Sequence, residues 1–162
     1  MADRRSYSAL QIALHWIVAL LVLATWWLGE GMGRALHARI ESGGSGSWPV
    51  HVWLGLAVLV LVGVRLIVRL ASGAPDPVES AGGAVALAAK ASHWLLYALL
   101  LLVPLGGALA WFAGIEGLAE VHPAAANALM LLALLHAAAA LWHHYVRGDG
   151  TLRRMMRPGH HA

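Results

Sequence analysis

Four long intervals contain no charged residue, and they constrain this chain more than any other feature: Arg5 to Glu30, Glu41 to Arg65, Lys90 to Glu116 and Glu120 to Arg147. Each has room for the roughly 20 apolar residues that an α-helix needs to cross the hydrocarbon of a bilayer. Backbone polar groups at that depth must be satisfied within their own segment, so the intervals read as spanning helices. The expected fold is all-α, an integral membrane four-helix bundle in one domain covering residues 1–162, with helices near 10–28, 50–70, 91–113 and 122–145. Composition agrees, because 60% of the residues are hydrophobic and 12% charged, where a soluble domain carries about 25% charged residues.

The basic residues sort by loop. Arg4, Arg5, Arg65, Arg69, Lys90, Arg147, Arg153, Arg154 and Arg157 flank one end of the expected spans, and Arg34 and Arg39 flank the other. By the positive-inside rule this places both termini in the cytoplasm. A net charge of +3 spread in this way gives no continuous basic stripe, so nucleic acid is not an expected partner. The first apolar run follows Arg4 and Arg5 but is too long for a signal peptide and lacks a small-residue cleavage site, so it reads as retained. Without cysteine, disulfides, c-type haem attachment and thiolate metal sites are excluded.

Between the spans, Ser42 to Ser47 resembles a flexible linker ahead of Trp48-Pro49, and Gly73 to Pro77 is a breaker segment. Pro104 lies inside the third span, where a kink is expected. The third loop, Gly114 to Val121, is short enough to make the last two helices antiparallel neighbours. A basic, loosely ordered tail is expected after Tyr145.

Ten histidines in so apolar a chain need an explanation. His15, His51, His93, His122, His136, His143 and His144 all fall inside expected spans, where polar groups call for partners or a function. Neutral imidazole is the common axial ligand of b-type haem, since one ring nitrogen meets the iron while the other donates to a carbonyl. His122 and His136 are 14 residues apart, which returns to within about 40° of the same helix face some 21 Å further along the axis. One helix can thus serve two haems at different depths. His51 starts its helix on the same side as His122, giving an outer pair; His15 and His136 sit at similar depth from the opposite boundary, giving an inner pair. Arg65, 14 residues after His51, falls on the haem-facing side and suits an inner propionate.

Other readings compete. Histidines also bridge helices by hydrogen bonds alone, although two pairs matched in face and depth favour ligation. His143 shares a face with His136 and is the rival ligand. His93, three residues after Lys90, reads as too shallow to ligate and either lines a quinone pocket or sits at the interface. His144 suits a quinone carbonyl or a lipid headgroup, and His37, His160 and His161 read as solvated. Gly55 and Ala137 to Ala140 leave room for a porphyrin or for close helix packing. Trp16, Trp53, Trp94 and Trp142 suit haem contact or interfacial anchoring.

These residues resemble the bacterial cytochrome b561 family, in its small quinone-linked members, over nearly the whole chain. The resemblance rests on Leu14-His15-Trp16, on His51 with Gly55 and Val64-Arg65-Leu66, on His93 through Tyr97 to Pro104, and above all on His136 to Tyr145 followed by Asp149, Leu152 and Arg154-Met155-Met156. It implies two haem b groups held by His15, His51, His122 and His136, agreeing with the depth argument, and electron exchange with ubiquinone. Some members look like superoxide oxidases that pass electrons from periplasmic superoxide to ubiquinone. This chain departs from them in a shorter third loop and in outer loops carrying Arg34 and Arg39 against Glu30, Glu41, Glu116 and Glu120. The outer donor stays open between superoxide and a redox protein. The alternative is a cytochrome b anchor subunit linking a peripheral dehydrogenase or hydrogenase to the quinone pool.

Overall fold

The computed structural model describes residues 7–73 and 83–158, with residues 84 and 85 described as backbone only. Arg4, Arg5, the Ala74 to Pro77 breaker, His160 and His161 lie outside the described residues. The elements are α1 (Ala9–Trp27), α2 (Met32–Glu41), α3 (Val50–Ser72), α4 (Gly83–Ala113), α5 (Glu116–Tyr145) and a 3-10 turn, Leu152–Met155. α1, α3, α4 and α5 are long and apolar enough to cross a membrane.

Local chemistry sets the helix ends. Ser8 caps α1 through a reciprocal pair with Gln11, the Gln11 N–H donating to Ser8 Oγ and the Ser8 N–H to Gln11 Oε1, which satisfies two of the donors a helix start leaves open. The Gln11 amide also donates to the carbonyl of Gly73 at 3.0 Å, bringing the start of α1 to the end of α3. α4 and α5 are joined only by Gly114 and Ile115. Gly114 takes φ +66°, a left-handed turn open to glycine at little cost.

Packing runs α1 to α3, α3 to α4 and α4 to α5, with a thinner seam closing α5 on α1. The core holds Val18, Val58, Val62, Tyr97, Leu100 and Leu129. Leu20, Ile67, Leu102 and Leu131 are exposed on the outside, as expected of side chains that face lipid rather than water. The α1–α5 seam is pinned by the Trp26 indole donating to Asn127 Oδ1 at 2.8 Å.

Four features differ from expectation. The first loop contains α2, whose Leu36 is buried against Val52 and Trp111. α4 begins at Gly83 rather than near residue 91, and α5 at Glu116 rather than near 122, so most of the expected third loop is helix. Pro104 lies inside its helix as expected, and the earlier start of α5 puts Pro123 inside that helix as well. The tail folds back: the Trp16 indole donates to the Met155 carbonyl at 2.9 Å, and the 3-10 turn packs on α5. This sets the end of the chain beside the first half of α1.

Asp149 anchors that tail. Its carboxylate accepts from His143 Nδ1 and from the Thr151 N–H and Oγ1–H. Partial burial pushes the carboxyl up, but the bonds from Thr151 and His143 outweigh it and hold its pKa at about 2. An unfolded aspartate titrates near 3.9, so the contribution to docking is complete above about pH 4 and is lost as pH falls through about 2. Hydrogen exchange of Thr151 to Met156 is therefore expected to lose protection between about pH 4 and 2, once corrected for the intrinsic rate, and not in Asp149→Asn. Unchanged protection in the natural sequence across that window would contradict this role.

Candidate functional site

Histidines from different helices meet in two groups along the bundle, one near α2 and one nearer the chain termini. His51, the second residue of α3, leans toward the last turn of α1 and places Nδ1 2.8 Å from the Thr25 carbonyl. That carbonyl is available because α1 is ending: the Gly29 N–H goes to Trp26 O and the Leu28 N–H to Ala24 O. On α5, His122 places Nδ1 3.1 Å from the Val103 carbonyl of α4. A carbonyl can only accept, so both rings carry their proton on Nδ1 and keep a lone pair on Nε2. The two ring centroids are 6.1 Å apart.

That separation has room for one metal between the rings. Two imidazoles on opposite sides of one metal, with bonds of about 2.0 Å and ring centres about 1.2 Å beyond each nitrogen, stand about 6.4 Å apart. Edge-to-face ring pairs share this range, about 4.5–7 Å, so the spacing permits a shared metal without requiring one. The His51/His122 pair lines a cavity of about 330 Å³, within the range of about 300–1,000 Å³ seen for cofactor pockets. Its other walls include Gly55, Gly107, Trp111 and the α2 residues Met32 and Leu36.

Gly107 is what lets His122 approach. A Cβ there would lie 2.8 Å from His122 Cε1 and 3.1 Å from Nδ1. By contrast a Cβ on Gly55 would meet nothing within 4 Å, so Gly55 opens the cavity without being pressed by a ligand.

The second group lies 14 residues along α5, about 21 Å away by helix rise. The His15 and His136 centroids are 6.5 Å apart, again near the separation for two imidazoles on one metal. His93 is also here, 5.1 Å from His136, with Nδ1 2.6 Å from the Ala89 carbonyl. The sequence reading had set it too shallow; α4 starts eight residues earlier than expected, which carries His93 down to the level of His136. His136 thus has two ring neighbours, His15 and the nearer His93.

Arg65 NH2 donates to His15 Nδ1 at 3.0 Å, and its guanidinium lies over the buried Tyr97 ring at 5.3 Å. It is thus at the inner group, as expected, but engaged with a histidine rather than with an anion. His143, the rival ligand, is committed through Nδ1 to Asp149. His144 has a buried Nδ1 with no hydrogen-bond partner. His37 is exposed.

The supporting residues came out unevenly. Trp16 touches His15 at 5.3 Å, whereas Trp53 stacks on Trp48 at 4.8 Å and is exposed. Ala137, Ala138 and Ala139 are exposed. Thr25, Val103, Gly107 and Trp111 were not singled out in the sequence. Pro104 next to Val103 was the nearest available signal.

A family model described as prokaryotic cytochrome b561 matches residues 6–158. Cytochrome b562 of Cereibacter sphaeroides is 47% identical, over 98% of this chain and 99% of that protein. The probable superoxide oxidase CybB of Yersinia pestis is 32% identical, over 94% of this chain and 96% of its own length. Cytochrome b561 homolog 1 of Escherichia coli is 32% identical, over 93% and 96% respectively.

Proposed function

The chain belongs to the prokaryotic cytochrome b561 family, and from that membership we propose that it is a di-haem membrane oxidoreductase exchanging electrons with ubiquinone. The observation that carries the reading is the pair of histidine couples at 6.1 and 6.5 Å. His51 and His122 would hold the outer haem, and His15 and His136 the inner one. Haem b between two histidines supplies one-electron exchange with no open coordination position, so substrates give or take electrons without binding iron.

The remaining work belongs to the chain. The carbonyls of Thr25 and Val103 keep the protons of His51 and His122 on Nδ1, which leaves each Nε2 lone pair free to ligate and raises its basicity. The apolar cavity wall excludes water. Arg65 now donates to His15 Nδ1, which holds the ring proton on Nε2; ligation through Nε2 requires that contact to loosen, and the freed guanidinium then suits a propionate. For quinone, the unpartnered Nδ1 of His144 offers a hydrogen bond to a carbonyl, with His143 and His93 the other candidate contacts. Both termini would be cytoplasmic in the inner membrane, which places this end toward the cytoplasm.

Superoxide is the donor we favour. Two superoxide anions each lose one electron to become dioxygen, and one ubiquinone takes both electrons and two protons to become quinol. The relative from Yersinia pestis carries that activity in its name. Charge does not add to this, since Arg34 and Arg39 of α2, the helix that lines the outer cavity through Met32, Gly33 and Leu36, stand against Glu30, Glu41, Glu116 and Glu120 at the same end of the spans. The haem-replete protein, purified without partners, is expected to be reduced by superoxide and reoxidised by ubiquinone. Reduction by quinol alone would point instead to an anchor subunit or a redox-protein partner, and reduction by neither would sink the reading.

A further inference from the structure

The outer cavity contains a polar group that the ligand geometry does not use. Trp111, on α4 one turn beyond Gly107, lines the cavity with only 6% of its surface exposed, and its indole Nε1 is buried without any hydrogen-bond partner. A buried donor left unpaired costs about 1–3 kcal/mol, and such groups in natural proteins usually have a partner that the protein atoms alone do not supply. One cation is fixed against the same indole. Arg39 of α2 donates through Nε to the Trp111 carbonyl at 3.2 Å and through NH1 to the Gly44 carbonyl at 2.6 Å, which holds its guanidinium 5.1 Å from the centre of the same indole.

Haem b brings two carboxylates of its own, and a carboxylate is the group these features fit: an acceptor for the indole N–H with a fixed cation behind it. We propose that Trp111 Nε1 donates to a propionate of the outer haem and that Arg39, held over the same indole, supplies the compensating charge. Trp111 is then a positioning residue that sets both the rotation of the haem about its histidine axis and its tendency to hold an electron. A donor to a propionate withdraws negative charge from the neighbourhood of the iron and so favours the reduced form.

This rests on the di-haem reading, and the test separates the two. In redox titrations of the two-haem protein, Trp111→Phe keeps the ring and removes the donor. The outer haem is expected to remain bis-histidine and low-spin while its reduced-to-oxidised ratio at a fixed ambient potential falls about threefold or more, the scale of one lost charge-assisted hydrogen bond partly offset by Arg39. The inner haem should not change. Trp111→His, which restores a ring N–H, should recover part of the shift. An unchanged ratio in Trp111→Phe overturns the proposal, and so does an equal shift in both variants, which would mean packing alone. A readout that needs no variant uses the natural sequence with 15N-labelled indoles, in which the diamagnetic ferrous state should show one of the eight tryptophan N–H signals moved well downfield on haem loading. Eight unmoved signals with both haems bound overturn the hydrogen bond, whereas an absent outer haem overturns the di-haem reading itself.

Discussion

Replacing His122 with alanine is expected to halve the haem content of the purified protein, from two per chain to one, while the four-helix bundle still assembles. The ligand set makes the loss selective. His122 faces only His51 among the paired rings, and the next histidine group lies 14 residues along α5, about 21 Å away. Among the described residues, no histidine ring other than His51 lies against His122. His51→Ala should remove the same haem, so the two variants share one residual spectrum; His15→Ala and His136→Ala should share the complementary one. The pairing is read from which spectra coincide. Two variants of one couple with different residual haems would break the assignment, as would His143→Ala removing a haem that His136→Ala leaves in place.

The second large effect comes from a residue that binds nothing. Gly107→Ala puts a methyl 2.8 Å from His122 Cε1, closer than carbon atoms tolerate. The glycine sits on a continuous helix packed against α5, so the imidazole yields rather than the backbone. Tilting the ring breaks its bond to the Val103 carbonyl, and disturbing an orienting contact of this kind lowers metal affinity by about 10–100-fold. Alanine is meanwhile a better helix former than glycine by about 1 kcal/mol. Gly107→Ala should therefore weaken outer haem retention by that factor without destabilising the helices, a combination that general unfolding does not produce. The neighbouring Gly106 is the control, since a Cβ there meets nothing within 4 Å. Equal haem loss in Gly106→Ala and Gly107→Ala, measured by titrating haem into the depleted proteins, would remove the argument.

The sequence shows the spans and the histidine couples because both follow from periodicity along single helices. Charge-free intervals mark α1, α3, α4 and α5, and the 14-residue spacing of His122 and His136 needs only the helical repeat to put both on one face. Boundaries were harder to read. Treating Lys90 as the edge of a span left Gly83 to Lys90 out of α4 and made His93 look shallow, whereas the helix continues past the charge. α2 was obscured by the glycine-serine run that follows it, although Met32 and Leu36, four residues apart, carry the apolar contact that fixes it.

The second layer of the site was not legible, for a physical reason. Thr25 and Val103 contribute only carbonyls, which every residue possesses, and their roles depend on how α1 turns against α3 and α4 against α5. Gly107 matters for the side chain it lacks, at a distance set by the packing of two helices. The free N–H of Trp111 becomes informative only once its surroundings are known to contain no acceptor. Features of this kind arise from the rotation of one helix about another, and no pattern within a single segment encodes it.

The central claim is two haem b groups on four histidines of one chain, and haem stoichiometry tests it most directly. Purified protein loaded with excess haem and freed of unbound cofactor should give a b-type reduced-minus-oxidised spectrum and, after extraction, two haems per polypeptide. One haem or none per polypeptide in a fully loaded preparation would contradict the account.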